Sequence, residues 1–507
     1  MSDADPRQSR PLHPSVRWKV AHPVQFRFAV SAFVLAVLVA LSGITYVLWP
    51  RPPVLITDGG KPPTDNLRRI SGLIEEENAW VKDQHVAWVS LALMMPMDPA
   101  GGTVSADSIR HTVEGVYLAQ RWANRHTEGK LSPPLVRVLL VDDGKVGTKW
   151  KEAVNQIRDK VSSEHIAAVV GLGVSIDTTR WAIEALGKQR IAMVGSSISA
   201  DDLKNMRAMV RVVPPNKDQV TAVLGELPKR TSVPPVLVQD TNPADAYAKD
   251  LGTDFAAKFP PSGSRGKSLT DSQLSFDSSL PASNQVLNGL AQQVCSSSSN
   301  TVLFAGRGRD LPAFLSPLAT YSGCQDRDVT VLTGDDAEQV ARPLPPNAPM
   351  WNATAAPRLH VYYAASAYPD AWSDASYYNK AVTDRFGATD KDGFRSIFPG
   401  EQLGDGAAIM AHDGALAVIT AVSDLVGTSG SGAGKQASDG DDSLLEPPAS
   451  AVANQLPSVK FAGASGWIAF DGNHDPVDKA IPILELHSTG RVDFIRVTSG
   501  DKQPANR

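Results

Sequence analysis

The feature that most constrains the fold is a repeated alternation of short apolar runs with longer amphipathic stretches. VAWVSLALMM (Val86 to Met95), LVRVLLV (Leu135 to Val141), IAAVVGLG (Ile166 to Gly173) and RIAMVG (Arg190 to Gly195) are dominated by apolar residues. Strands buried on both faces of a parallel sheet have this continuous character. Between them lie helical patterns. One opens near Ser105, a good N-cap, and puts Ile109, Val113, Val116, Tyr117 and Ala123 on one face; others span Lys149 to Val161 and Thr178 to Gly187. Strand, helix, strand at this spacing predicts parallel βαβ units with right-handed crossovers.

A second series follows: PPVLVQD (Pro234 to Asp240), helices over Ala244 to Phe259 and Asn284 to Val294, then TVLFAG (Thr301 to Gly306) and VTVLTG (Val329 to Gly334). A chain of 507 residues exceeds one compact core. The expected fold is therefore α/β, two doubly wound parallel-sheet lobes. Pro214 and Pro215 stand where the first series hands over to the second, and a second hinge is expected near Tyr362 to Ser366. The organisation reads as 85–213 for the first part of lobe 1, 214–362 for lobe 2, and 363–462 for the rest of lobe 1. GWIAFDG, IPILELH and RVDFIRV then form closing strands within 463–507. The polar, low-complexity segment 427–450 reads as a flexible surface loop.

Ahead of this body, Phe28 to Trp49 carries no charged residue across 22 positions. As a helix it would be about 33 Å long, enough to cross a bilayer core. Arg7, Arg10, Arg17, Lys19 and Arg27 precede it, and Pro50, Pro52 and Pro53 stop it. The cation excess predicts a cytoplasmic tail (1–27), a single transmembrane helix (28–49) and an extracellular body at the cell membrane. Residues 50–84 then read as a stalk with a short helix from Leu67 to Gln84. A cleaved signal peptide would need an apolar region of roughly 7–15 residues and a small-x-small site, and none follows Leu48. A buried core helix fits poorly with the upstream cations and the proline stop.

The net charge of −5 gives no reason to expect a nucleic-acid partner. Cys295 and Cys324 are the two cysteines. In an oxidising compartment they are expected to pair, closing a strand–turn–helix unit and stabilising it by about 3 kcal/mol; two buried free thiols are the alternative. G-x-S-x-G, H-E-x-x-H, Walker A and C-x-x-C motifs are missing, so the reading is non-enzymatic, with no cofactor or metal. DGNHD (Asp471 to Asp475) lacks the spacing of a calcium loop and reads as a tight polar turn. His412 has no partner histidine at helical spacing and reads as packed.

In an open parallel sheet, ligands bind beyond the carboxyl ends of the strands. Three loops there are rich in hydroxyls or acids: GLGVSID (Gly171 to Asp177), VGSSISADD (Val194 to Asp202) and TGDDA (Thr333 to Ala337). Hydroxyls and N–H groups suit a carboxylate and an acid suits an ammonium group, although any one serine there has the alternative role of helix N-cap.

Several phrases in order resemble the type I periplasmic-binding-protein family, in particular the branched-chain amino-acid and amide receptors. They are EGVYLAQRWAN (Glu114 to Asn124), LLVDDG (Leu139 to Gly144), NPADAYAKDLG (Asn242 to Gly252), AHDGALAVITA (Ala411 to Ala421) and GASGWIAFDGNHD (Gly463 to Asp475). The resemblance runs from about Val86 to Val497. It implies that Ser175 holds a ligand carboxylate and that Ser197 and Ser199 supply a carbonyl and a hydroxyl. It further implies that Tyr247 is an aromatic on the far lobe and that Asp336 receives the ligand ammonium. The chain is also similar to actinobacterial membrane-anchored substrate-binding proteins. The expected function is a solute receptor that closes over an amino acid or amide and serves an ABC permease or a membrane sensor. The alternative is an interaction or signalling ectodomain without a small ligand.

Overall fold

The computed structural model describes residues 55–500, apart from 103, 126–133, 228–232, 260–268, 270–272, 346 and 432–444. The expected transmembrane run 28–49 lies outside the described residues, as does the middle of the polar segment 427–450.

The first sheet has the order β1-β3-β2-β4-β5-β6. Its strands are β1 (Ile56–Thr57), β2 (Trp88–Met95), β3 (Leu135–Asp142), β4 (Ile166–Gly171), β5 (Ala192–Gly195) and β6 (Met209–Arg211). All pair in parallel except β1, which runs antiparallel to β3 with Ile56 opposite Val141. The stretch expected to be stalk thus contributes an edge strand, because Leu55 and Ile56 find an apolar cover. Helices α1 (Arg68–Asp83), α2 (Ala106–Arg125), α3 (Trp150–Lys160) and α4 (Asp177–Lys188) flank the sheet. Alternate residues of β2 enter opposite cores: Leu91 and Leu93 pack toward α1 and α2, while Ala92 and Met94 pack toward α3 and α4. Two buried faces explain the uninterrupted apolar run, since successive side chains point opposite ways.

Helix α5 (Asn216–Val223) begins the second lobe. The strands that follow are β7 (Val236–Asp240), β8 (Gln273–Phe276), β9 (Thr301–Ala305), β10 (Val329–Thr333) and β11 (Leu359–Ala364), interleaved with α6 (Ala246–Lys258), α7 (Ser283–Ser296) and α8 (Leu311–Thr320). The chain then returns to the first lobe as α9 (Ala407–Ser431), α10 (Ala449–Gln455) and the hairpin β12 (Lys460–Gly463) and β13 (Gly466–Ala469). Finally β14 (Ile481–Leu486) and β15 (Val492–Thr498) extend the second sheet antiparallel, giving the order β15-β14-β11-β10-β9-β7-β8. The chain therefore crosses between the sheets after β6, after β11 and after β13. Tyr362 to Ala364 belong to β11, so the second crossing starts at Ala365 rather than at Tyr362. The third crossing has no counterpart in the sequence pattern.

Helix α9 runs into the stretch read as loop. Its Ala407–Gly427 part is long and apolar enough to span a membrane, yet 61% of that window is buried inside the protein. It packs on α2 at Gly115, where a Cβ would overlap the Ala408 carbonyl. Length and apolarity here reflect a core helix. Its His412 is fully buried, with Nδ1 2.8 Å from Asp413 Oδ1. Asp413 in turn accepts from the Ala464 and Ser465 N–H groups and so fixes the hairpin. The expected disulfide joins Cys295 at the end of α7 to Cys324. DGNHD is an Asx turn: Asp471 accepts from the N–H groups of Asn473 (2.8 Å) and Asp475 (3.0 Å).

Candidate functional site

Each sheet has one place where strand order reverses direction: between β2 and β4 in the first, and between β7 and β9 in the second. Ligand crevices form outside the carboxyl ends of strands at such points. A cavity of about 60 Å³ lies between the lobes. Met95 (end of β2), Gly171 (end of β4) and Ser196, Ser197 and Ser199 (after β5) line it from one lobe. Tyr247 (α6), Arg307 (after β9), and Asp335, Asp336 and Glu338 (after β10) line it from the other.

The structure brings Ser197, Ser199, Tyr247 and Asp336 to this cavity. Ser175 stands behind its wall, 1% exposed, and its Oγ accepts from the Ala200 N–H (3.1 Å). Its carbonyl accepts from the Tyr247 N–H (3.3 Å) and from Arg307 Nη2 (3.0 Å). The hydroxyl assigned to a ligand carboxylate accepts from the serine loop and stands outside the cavity lining. Ser197 is at the mouth and exposed. Tyr247 is fully buried; its hydroxyl accepts from the Asp336 N–H at 3.2 Å, and burial raises its pKa.

Asp336 is committed elsewhere than expected. Its Oδ1 accepts from Arg307 Nη1 (3.0 Å) and its Oδ2 from the Gly308 N–H (2.6 Å). Arg307 also makes a two-pronged pair with Asp245, Nε at 2.7 Å and Nη2 at 2.8 Å, and its guanidinium lies over the Tyr247 ring, 4.6 Å from the centroid. Burial opposes its charge, but Asp245 and Asp336 more than offset this and hold it protonated. Glycine at 308 permits this arrangement, because a Cβ there would collide with the Asp336 carbonyl.

The neighbouring acid Asp335 faces the cavity with weaker commitments. Gln219 donates to Oδ2 at 2.9 Å, and the Ser199 hydroxyl reaches Oδ1 at 3.4 Å. Burial, reinforced by the charge of Asp336, pushes its pKa up to about 7. Glu338 accepts from the Ser366 N–H (2.6 Å) in the interlobe crossing, and burial raises it well above the usual carboxylate range. The Ser196 hydroxyl is buried, lines the cavity and has no protein partner. Arg307, Asp335, Glu338 and Ser196 were not singled out from sequence. Their signal was positional, since each directly follows an apolar strand: TVLFAGR, TGDDAE and MVGS.

Beside the cavity, Asp405 Oδ2 lies 2.8 Å from His111 Nδ1 and 2.9 Å from Ser108 Oγ. Among the described residues one group has atoms close enough to hold a metal: His111, Glu114 and Glu401, all within 4.8 Å. Arg110 already pairs with both Glu401 oxygens at 3.0 and 2.7 Å, and His111 Nε2 lies 3.1 Å from the same carboxylate. The group is best described as an ion-pair network.

No protein-family model matches the chain, and no curated protein sequence matches it. Solved structures do. The leucine-binding protein LivK of Thermotoga maritima superposes with a TM-score of 0.57 at 17% identity, covering 81% of this chain and 98% of its own. An ABC transporter substrate-binding protein of Desulfitobacterium hafniense in complex with leucine gives 0.53 at 14% identity, covering 80% and 99%. A solute-binding protein of Rhodopseudomonas palustris BisB5 in complex with 3,4-dihydroxybenzoic acid gives 0.55 at 13% identity, covering 82% and 98%. With its two α/β lobes facing across a cleft at their strand switch points, the described body has the fold of the type I periplasmic binding proteins.

Proposed function

We propose that the chain is a solute receptor whose lobes close over a small polar ligand of amino-acid or amide size, without catalysing its conversion. The observation that carries this reading is the interlobe cavity, in which hydroxyls of one lobe face acids of the other at both switch points. The fold shared with ABC transporter substrate-binding proteins supports delivery of that ligand to an importer permease, or its report to a membrane sensor. The uncharged run 28–49 with its upstream cations supports attachment to the outer face of the cell membrane.

Thermal unfolding of the full chain against amino acids, amides, nucleosides and sugars tests the reading. A ligand at about a hundred times its dissociation constant adds ~2.7 kcal/mol. The rival reading, an interaction ectodomain, is favoured by one observation: the lobes are already joined across the cleft through Arg307 and the Ser175 carbonyl. A flat response from a folded protein would select it.

A further inference from the structure

Resting on the solute-receptor reading, we infer that the ligand is a small alkylammonium ion, an amine that carries no carboxylate. The charge arrangement around the cavity leads there. Arg307 is the one basic side chain among the residues that line it, and it is already shared by Asp245 and Asp336. Asp405 faces His111. That leaves Asp335 and Glu338 lining the cavity with hydroxyl and amide partners but no cation of their own. Without a cation, burial already holds protons on Asp335 and Glu338. A ligand carboxylate would raise both acids further and would meet only the hydroxyls of Ser196, Ser197 and Ser199, whereas a cation lets them ionise and pair with it.

An ammonium group meets the opposite situation. Asp335, Glu338 and the unpartnered Ser196 hydroxyl all line the cavity and can accept from the ammonium N–H donors. Met95, Val104, Val213 and Met410 supply the apolar part of the wall and suit an alkyl body. The volume of about 60 Å³ suits a small occupant. A bare divalent cation is a poorer fit. Among the described residues, the cavity's carboxylates do not form a group compact enough for coordination, and the one group that does contains none of Asp335, Asp336 and Glu338.

The test is calorimetric titration of the purified full chain with methylamine, ethylamine, ethanolamine and ethylenediamine. Their carboxylated counterparts glycine and alanine, then acetate, propionate and magnesium chloride, are titrated alongside. The inference expects at least one amine to bind at least about tenfold more tightly than its amino acid, with the simple acids silent. Asp335→Asn should weaken that amine about tenfold or more. Because Asp335 is buried, Ser196→Ala provides a second reading: it removes a hydroxyl that makes no bond within the protein and should weaken the amine severalfold with unchanged unfolding temperature. Tighter binding of glycine or alanine than of any amine overturns the inference while leaving the solute receptor standing. Binding of magnesium alone overturns it in favour of a metal site. Silence across these and the wider solute panel overturns both readings.

Discussion

Arg307 is where the charge of the cleft is balanced, and replacing it tests that balance. Arg307 is 3% exposed and makes four bonds, to both oxygens of Asp245, to Asp336 and to the Ser175 carbonyl of the opposite lobe. Arg307→Ala leaves two acids beside the cavity without their cation. Removing one partner of a buried ionic cluster costs about 3–5 kcal/mol. For a body of roughly 450 residues, unfolding entropy near 2.1 cal/mol/K per residue gives about 0.9 kcal/mol/K, so the melting temperature should drop by about 3–5 °C if the lobes unfold together. Arg307→Lys keeps the charge, loses the fork and its reach to Ser175, and should show a smaller loss. The decisive variant is Arg307→Met combined with Asp245→Asn and Asp336→Asn. With no charge left to compensate, it should recover most of the lost stability, and an asparagine side chain still serves as the N-cap that the aspartate provides to α6. Differential scanning calorimetry reads all three. If Arg307→Ala melts within a degree of the parent, or the triple variant melts below the single one, the cleft is not held by charge compensation.

Other consequences follow from the same structure. Gly115→Ala pushes a methyl group into the Ala408 backbone, so α2 and α9 must separate; a loss of about 1–3 kcal/mol in urea titration is expected, whereas Gly289→Ala, with open space around it, should be neutral or stabilising. Paired Cys295→Ser and Cys324→Ser substitutions release a loop with a sequence separation of 29 and should lower stability by about 3–4 kcal/mol; reductant should destabilise the parent by a similar amount and leave the variant unchanged. Asp335 and Glu114 at about 7 and His111 at about 9 all hold protons more firmly when folded than when unfolded. The folded state therefore binds more protons between about pH 4 and 9, and stability should fall as pH rises through that window. Asp335→Asn should flatten the slope in thermal scans, and a slope rising with pH would contradict the assignment.

Much of the fold was legible because parallel strands covered on both faces must be apolar at every position. VAWVSLALMM and IAAVVGLG announce such strands without any knowledge of their partners. Ser105 was equally readable as a cap, and the Ser108 N–H does donate to its Oγ at 3.1 Å. Short edge strands gave weaker signals. Ile56–Thr57 has only two residues, and its membership depends on an edge of β3 that is distant in sequence. The third interlobe crossing was hidden for a related reason: β14 and β15 look like any late strands until β11 is seen to accept β14.

The site was readable by loop but not by residue. TGDDA was correctly placed at the end of a strand facing the cleft, yet two adjacent aspartates in such a turn point different ways. Which of them meets a ligand depends on what else the fold brings within reach. Arg307, twenty-nine positions away and just past the end of the neighbouring strand β9, claims Asp336 together with the Gly308 N–H. Asp335 is left to Gln219 and the cavity. Likewise Ser175 lies on the right loop, but its hydroxyl accepts from the Ala200 N–H behind the cavity wall, and it is the unpartnered Ser196 that lines the cavity. Each decision is made by a hydrogen bond between strand ends that are neighbours only in the sheet. A single sequence therefore supplies the loops of such a cleft, while the charge a ligand must carry emerges only after internal ion pairs have been subtracted. Here that subtraction removes Arg307 and Asp336 and leaves an acid surplus.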